Sequence, residues 1–159
     1  MAIGRLKKLF GVGPIGAAIS LVLLAIAVRV DRLLGHSTIL TNPVLIKVVA
    51  GGLAVIGLGL LFWSSWTLRN WWSKDELCTM GPFKWLRHPM YAAWITFILP
   101  SVALYLNSWI ILLFVVQLHP IWHKLVISEE KTISEKFQNK YSVYAARTGR
   151  FFPRIWNNC

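Results

Sequence analysis

The sequence predicts an all-α, polytopic membrane protein with about four transmembrane helices and a C-terminal cytoplasmic amphipathic helix. Hydrophobic residues make up 56% of the 159 residues, charged residues only 14%, and the mean hydropathy is +0.56. A soluble domain carries about a quarter of its residues as charged side chains. Nine tryptophans agree with a membrane location, because indole rings favour the membrane–water interface. The length suits one domain, residues 1–159.

Four apolar segments account for the predicted transmembrane helices, since a hydrocarbon core about 30 Å thick needs roughly 20 apolar residues. Asn42-Pro43 is a suitable start for the second helix. Asn107 is the turn residue between the last two, which predicts a tight helical hairpin. Pro100 and Pro120 predict kinks, which neighbouring helices can accommodate in a membrane. The predicted spans are residues 12–28, 44–66, 91–106 and 108–127.

A charged segment, "SEEKTISEKFQNKYSVYAARTGR", follows the fourth span. Ser128 is a suitable N-cap, and acidic side chains suit the first turn because a helix N-terminus carries partial positive charge. Gly149 is the predicted end of this helix. Three- and four-residue spacing predicts one amphipathic helix lying on the lipid headgroups. Its apolar face would contain Ile133, Phe137, Tyr141 and Tyr144.

The basic residues predict the orientation in the membrane. Three of the 17 would lie on one side, namely Arg29, Arg32 and Lys47. The other fourteen are Arg5, Lys7, Lys8, Arg69, Lys74, Lys84, Arg87, Lys124, Lys131, Lys136, Lys140, Arg147, Arg150 and Arg154. By the positive-inside rule, both termini and the loop 67–87 are predicted to be cytoplasmic. Basic residues interleaved with apolar runs fit this rule better than nucleic-acid binding. The short chain favours a prokaryotic cell membrane.

Several other kinds of site are not predicted. Cys78 and Cys159 are too few for a disulfide scaffold and lack metal-ligand spacing. His119 and His123 lie four apart without a glutamate between them, so no metal site is predicted. The glycines at 51, 52, 57 and 59 lack the context of a dinucleotide fingerprint and predict close helix packing. No convincing cleavage site follows the first apolar run, so it is predicted to be a retained helix.

Ionisable side chains concentrate at the predicted cytoplasmic edge, where such groups are candidates for function. Arg87 and His88 precede the third helix, and Glu129 and Glu130 follow the fourth. A helical hairpin brings both pairs to one end, so they are predicted to face one another across a cleft. Alternatives stay open from these residues alone. Arg87 could anchor to lipid phosphates, His88 could fill a helix N-cap, the glutamates could only begin a helix, and His119 could bond a neighbouring helix.

The motifs around these residues resemble those of isoprenylcysteine carboxyl methyltransferases and their phospholipid-methylating relatives, a family of integral membrane methyltransferases. The segments that carry the resemblance are "GPFKWLRHPMY", a hairpin, "EE" and "FQNKYSVYAARTGRFFP". The family pattern is Gly-Pro-Tyr, Arg-His-Pro-x-Tyr, a distant Glu-Glu, Phe-Gly-x-x-Tyr-x-x-Tyr and a closing arginine–aromatic–proline. The resemblance covers residues 74–155, about half of the chain.

The resemblance implies methyl transfer from S-adenosylmethionine to a lipid or lipidated acceptor at the cytoplasmic membrane face. It implies Arg87, His88 and Glu130 as catalytic residues. Carboxylates suit the ammonium or hydroxyls of this cofactor, an imidazole or arginine suits its carboxylate, and aromatic rings suit adenine. Positioning and desolvation would supply most of the rate enhancement. The implied cytoplasmic cofactor-binding elements are residues 67–90 and 128–159. The implied cofactor-binding residues are Asp75, Glu76, Leu77, Cys78, Phe83, His88, Pro89, Met90, Tyr91 and Glu129.

Three positions depart from the family pattern. Phe83 replaces a tyrosine, and Gln138 replaces the glycine of the tail motif. Leu125 stands where carboxyl methyltransferases often carry an arginine for the substrate carboxylate. Leu125, His119 and His123 are the candidate substrate residues. An isoprenylcysteine-carboxyl-methyltransferase-like activity is therefore predicted beside two alternatives, a phospholipid amine N-methyltransferase and a non-catalytic membrane packing or lipid-binding protein. The predicted partners are the membrane and a lipid or lipidated small-molecule acceptor, without nucleic acid.

Overall fold

The predicted all-α class is confirmed. The computed structural model describes residues 11–71, 74 and 76–154, and this part of the chain contains helices and loops without β-strands. A short 3₁₀ helix, Gly81–Lys84, precedes the third helix. The other helices are α1 Gly13–Leu33, α2 Pro43–Trp71, α3 Pro89–Tyr105, α4 Trp109–Val116, α5 Leu118–Phe137 and α6 Asn139–Arg147.

Three helical stretches are long and apolar enough to cross a membrane, which supports the predicted polytopic architecture. They are α1, α2 and the combined stretch of α4 and α5, Trp109–Phe137. The third predicted span, residues 91–106, corresponds to α3, which is apolar but shorter. The helices α1, α2 and α5 extend past the predicted ends of their spans, because helical hydrogen bonding continues where the apolar composition stops.

The two prolines predicted to kink helices act in different ways. In α3 a wider π turn, Ala93–Ile98, immediately precedes Leu99 and Pro100. Proline has no N–H to donate, so the preceding turn is free to widen. Near Pro120 the helix is interrupted instead, at Gln117 between α4 and α5. The predicted span 108–127 is therefore two helices in sequence.

The prediction that a separate helix begins at Ser128 is wrong. The helix α5 passes through Ser128, whose hydroxyl donates to the Leu125 carbonyl at 2.9 Å rather than capping a helix. The interruption falls at Gln138, whose φ is +46°. The predicted amphipathic helix is thus two helices, α5 and α6. The second ends at Arg147, two residues before Gly149.

The core lies where α3, α4 and α5 meet, with α1 packed on α4 and α5 and α2 packed on α3. A Cβ on Gly16 would lie 2.5 Å from the Trp122 ring, so only glycine allows this approach of α1 to α5. Of the four α2 glycines, the predicted close packing holds for Gly57, which faces Phe97. A Cβ on the other three, at 51, 52 and 59, would meet no atom within 4 Å.

The predicted hairpin turn at Asn107 is present, with Asn107 at φ +52°. Its side-chain oxygen accepts from the Ile39 and Leu40 N–H groups at 3.0 and 3.1 Å, and its amide donates to the Leu40 carbonyl at 2.9 Å. Beside it, the buried Asp31 carboxylate accepts from the Ser108 hydroxyl and lies 2.7 Å from His36 Nδ1. We call Asp31, His36, Asn107 and Ser108 the distal cluster, because it lies at the opposite end of the bundle from α6.

Candidate functional site

Glu130 is a buried carboxylate, 7% exposed, that contacts three basic side chains. Its Oε1 lies 3.3 Å from Arg87 Nη1 and 3.4 Å from His88 Nε2. Its Oε2 accepts from Arg150 Nε at 3.0 Å and lies 2.7 Å from Arg150 Nη2. We call these four residues the Glu130 clamp. They come from three separate segments, so the clamp joins the loop before α3, the middle of α5 and the segment after α6.

Backbone hydrogen bonds hold two of these segments side by side. The Arg87 N–H donates to the Gly149 carbonyl at 2.7 Å, and the His88 N–H donates to the Arg150 carbonyl at 3.1 Å. The Tyr144 hydroxyl donates to the Phe83 carbonyl at 2.7 Å. The positions of His88 and Arg150 are therefore fixed by the main chain as well as by Glu130.

The neighbouring Glu129 points to a different set of partners. Its Oε2 accepts from the Tyr91 hydroxyl at 3.0 Å and from the Val12 N–H at 3.3 Å. A Cβ on Gly11, which has φ +54°, would lie 2.7 Å from this carboxylate. A Cβ on Gly13 would lie 3.3 Å from the Tyr91 ring. The start of α1 therefore packs directly against Glu129 and Tyr91.

A cavity of about 350 Å³ lies between the ends of α2 and α5, the loop before α3, and α6. That volume is typical of a small-molecule site. We call it the first cavity. Ten of the residues predicted from sequence line it, namely Glu76, Leu77, Cys78, Phe83, Arg87, His88, Pro89, Met90, Tyr91 and Glu129. Asp75, also predicted to bind the cofactor, lies outside the described residues.

Eight more residues line the first cavity that were not named individually as site residues, and all of them lie in the predicted cofactor-binding segments 67–90 and 128–159. Ile133, Phe137, Tyr141 and Tyr144 were predicted to form one apolar face, and all four line the cavity. The three- and four-residue spacing of these side chains was visible in the sequence, but the cavity that they line was not. Arg150 was missed as a member of the clamp, although it is the arginine of the closing arginine–aromatic–proline motif. The additional lining residues are Leu68, Trp71, Lys74, Ile133, Lys136, Phe137, Tyr141 and Tyr144.

The protonation of the cavity side chains outside the spans follows from burial. Burial raises the pKa of the Cys78 thiol, which is therefore a neutral group rather than a thiolate nucleophile at neutral pH. Burial raises the pKa of Tyr141, and the Glu130 carboxylate raises it further. The Tyr141 hydroxyl is buried beside Arg87 and Glu130. It is a neutral donor at the cavity wall.

A second cavity, of about 280 Å³, lies on the other side of the Glu130 clamp. Arg150 Nη1 donates to His123, and the distance to His123 Nε2 is 3.1 Å. The His119 ring stacks on Phe152 with centroids 5.6 Å apart. Two of the candidate substrate residues therefore line this cavity, and Leu125 lies outside both cavities. The residues that line the second cavity are His119, Pro120, His123, Arg150, Phe151 and Phe152.

The described residues contain no group of three or more histidine, cysteine, aspartate or glutamate side chains that could hold a metal ion. What the arrangement offers is a cavity with carboxylates, an imidazole, a guanidinium and aromatic walls. Such a set can bind a zwitterionic, aromatic small molecule.

Comparison with known proteins identifies the family. A family model described as phospholipid methyltransferase matches residues 45–140, which is more than half of the chain. The matched residues contain α2, the loop before α3 and both glutamates of α5. None of the curated proteins compared with the chain matches it. The chain belongs to the phospholipid methyltransferase family.

Proposed function

We propose that this protein transfers a methyl group from S-adenosylmethionine to a lipophilic acceptor that arrives from the bilayer. The family supports methyl transfer in general. The observation that carries the proposal is the first cavity, because the residues predicted to bind this cofactor line one space of suitable volume. Basic residues are concentrated on one side of the predicted spans, and we therefore propose that the reaction takes place at the cytoplasmic face.

Donor groups beside the cavity support a polar ligand. Arg87 Nε is buried without a hydrogen-bond partner among the described residues, and the Arg87 and Tyr141 side chains line the cavity. A buried polar group without a partner costs about 1–3 kcal/mol, so a ligand that supplies acceptors would stabilise this region. The ligand's carboxylate group suits these donors.

Each part of the cavity has a proposed role. Arg87 and His88 would bind the carboxylate of the cofactor, and Phe83 and Tyr91 would hold its adenine ring. Glu129 would accept hydrogen bonds from its ammonium or hydroxyl groups. Glu130 would keep Arg87 and His88 in place through the clamp. When bound, S-adenosylmethionine supplies an electrophilic methyl group on a sulfonium.

The aromatic and aliphatic residues of α2, α5 and α6 would exclude water from the reacting groups. Trp71, Ile133 and Phe137 contribute this apolar part of the lining. A nucleophile loses its hydration shell in such a space and reacts more readily when it is held in line with the methyl group.

The acceptor class is proposed from the matched family, which is described as phospholipid methyltransferase. Leu125 stands where carboxyl methyltransferases often carry an arginine, and it lines neither cavity, so it supplies no charge to a substrate carboxylate. A phospholipid amine is therefore the first candidate and a prenylcysteine carboxylate the second. Incorporation of labelled methyl groups into phosphatidylethanolamine and into a prenylcysteine analogue, compared in parallel, separates them. Transfer to neither acceptor would contradict both assignments.

Calorimetry with S-adenosylhomocysteine tests cofactor binding on the purified protein in detergent. We expect micromolar binding to the unaltered protein and at least about tenfold weaker binding to Glu129→Gln, which corresponds to about 1.4 kcal/mol. Glu135→Gln is the matched control, because Glu135 is exposed on the same helix and does not line the cavity. Absence of binding at high micromolar ligand, or equal binding by Glu129→Gln, would contradict the proposal.

A further inference from the structure

The second cavity contains one guanidinium, two imidazole and two phenyl side chains, and none of them lines the proposed cofactor site. We propose that this cavity binds the phosphate group of a membrane phospholipid and thereby anchors the methyl acceptor. The assignment of the lipid as acceptor rests on the proposed function. The binding of a lipid phosphate does not, because it follows from the cavity itself.

The donors of the cavity suit a phosphate. Guanidinium groups bind phosphate oxygens with paired, charge-assisted hydrogen bonds, and imidazoles add further N–H donors. Arg150 and His123 are in contact, and His119 lies one turn before His123 on α5. These three side chains converge on one space of about 280 Å³.

Positive charge remains after the internal ion pairs are counted. Among the described residues, the carboxylate in contact with Arg150 is Glu130, and Glu130 is shared with Arg87. One carboxylate therefore faces two guanidinium groups. Because opposite charges stabilise one another most strongly where water is scarce, an anion is favoured beside Arg150.

The depth of the cavity points to a lipid rather than to a free anion. His123 and His119 lie four and eight residues before Ile127, the last apolar residue of the span, which is roughly 6 and 12 Å along a helix. Phe152 is 57% exposed at the rim, and Pro120 is also exposed. At this depth an exposed side chain faces the bilayer, so acyl chains can pass an apolar rim while the phosphate meets the donors.

The clamp links this cavity to the first one. Glu130 contacts Arg150 on one side and His88 on the other, and His88 lines the first cavity. The His88 ring also lies beside Phe151, with centroids 6.2 Å apart. A lipid phosphate next to Arg150 would therefore hold its headgroup within reach of the wall shared with the cofactor cavity.

Native mass spectrometry of the purified protein in detergent tests the proposal with three lipids of identical acyl chains. We expect phosphatidylethanolamine and phosphatidic acid to bind and diacylglycerol, which lacks the phosphate, to bind at least about tenfold more weakly. The double variant His119→Gln/His123→Gln should lose this preference for phosphate. Lys124→Gln is the matched control, because it removes a neighbouring charge that is exposed and outside the cavity.

Several results would overturn the inference. The cavity does not recognise the phosphate if diacylglycerol binds as tightly as phosphatidylethanolamine. The same conclusion follows if the double variant retains the preference for lipids with a phosphate. Displacement of the lipid by submillimolar inorganic phosphate would assign the cavity to a free anion instead. S-adenosylhomocysteine binding on the same preparations reports the first cavity separately, so its absence contradicts the proposed function while leaving the lipid result intact.

A kinetic readout distinguishes anchoring from a general structural role. If phosphatidylethanolamine is methylated, the double variant should raise its KM at least about tenfold, with a much smaller change in kcat and in S-adenosylhomocysteine affinity. A variant that lowers kcat and cofactor affinity together, with KM unchanged, would contradict an anchoring role.

Discussion

The two ends of the helical bundle each bury a carboxylate, and the surroundings of the two groups differ. At the distal end Asp31 is 4% exposed and is paired with the Ser108 hydroxyl and with His36. At the other end Glu130 is 7% exposed and is shared by Arg87, His88 and Arg150. Burial is similar, so burial alone does not show which of the two carboxylates lies at a candidate ligand site.

The difference lies in what surrounds each carboxylate. The partners of Asp31 connect α1 to the turn between α3 and α4, and Asp31 lines neither cavity. Two arginines and a histidine surround the single carboxylate of Glu130, and these basic residues line a cavity on each side of it. Basic groups in excess beside open space are available to a ligand, whereas a matched pair at a turn is not.

The largest effect is expected from Glu130→Ala, which leaves Arg87 and Arg150 facing each other without a carboxylate. Removing one partner of a buried ion pair costs about 3–5 kcal/mol, so the variant should unfold at a clearly lower temperature in detergent. Thermal unfolding followed by circular dichroism measures the change. Glu135→Ala is the control on the exposed face of α5. Equal unfolding temperatures for Glu130→Ala and the unaltered protein would show that the clamp does not stabilise the fold.

Asp31→Asn tests whether the distal cluster is only structural. The amide oxygen can still accept from Ser108, but the interaction with His36 weakens, and we expect a loss of about 1–3 kcal/mol in the free energy of unfolding. Binding of S-adenosylhomocysteine should stay unchanged, whereas Glu130→Gln should weaken it. A fall in cofactor affinity for Asp31→Asn would remove the distinction between the two ends.

The sequence predicted the helical membrane architecture because apolar length and the Asn107 turn are local signals. It also named ten of the residues that line the first cavity, because a motif carries them in compact segments such as the one from Phe83 to Tyr91. It did not predict the pairing of Arg150 with Glu130, since that contact depends on how the segment after α6 folds back. Ser128 was misassigned as a helix start because its polar sequence context resembles a cap, while the helix continues through it.

Two residues with positive φ provide the last comparison between the ends, Gln138 at the site end and Asn107 at the distal end. Glycine adopts positive φ without the steric cost that other side chains meet, so Gln138→Gly should stabilise the protein by about 1 kcal/mol. Asn107→Gly relieves the same kind of cost.

However, Asn107→Gly also removes the hydrogen bonds of Asn107 to Ile39 and Leu40, and should destabilise by about 1–3 kcal/mol. Unfolding of both variants by denaturant, with Gln138→Ala as the control that keeps a Cβ, measures the two signs. Stabilisation by both glycine variants would show that relief of backbone strain outweighs the side-chain contacts of the distal cluster. Destabilisation by both would show that the positive φ of Gln138 costs little.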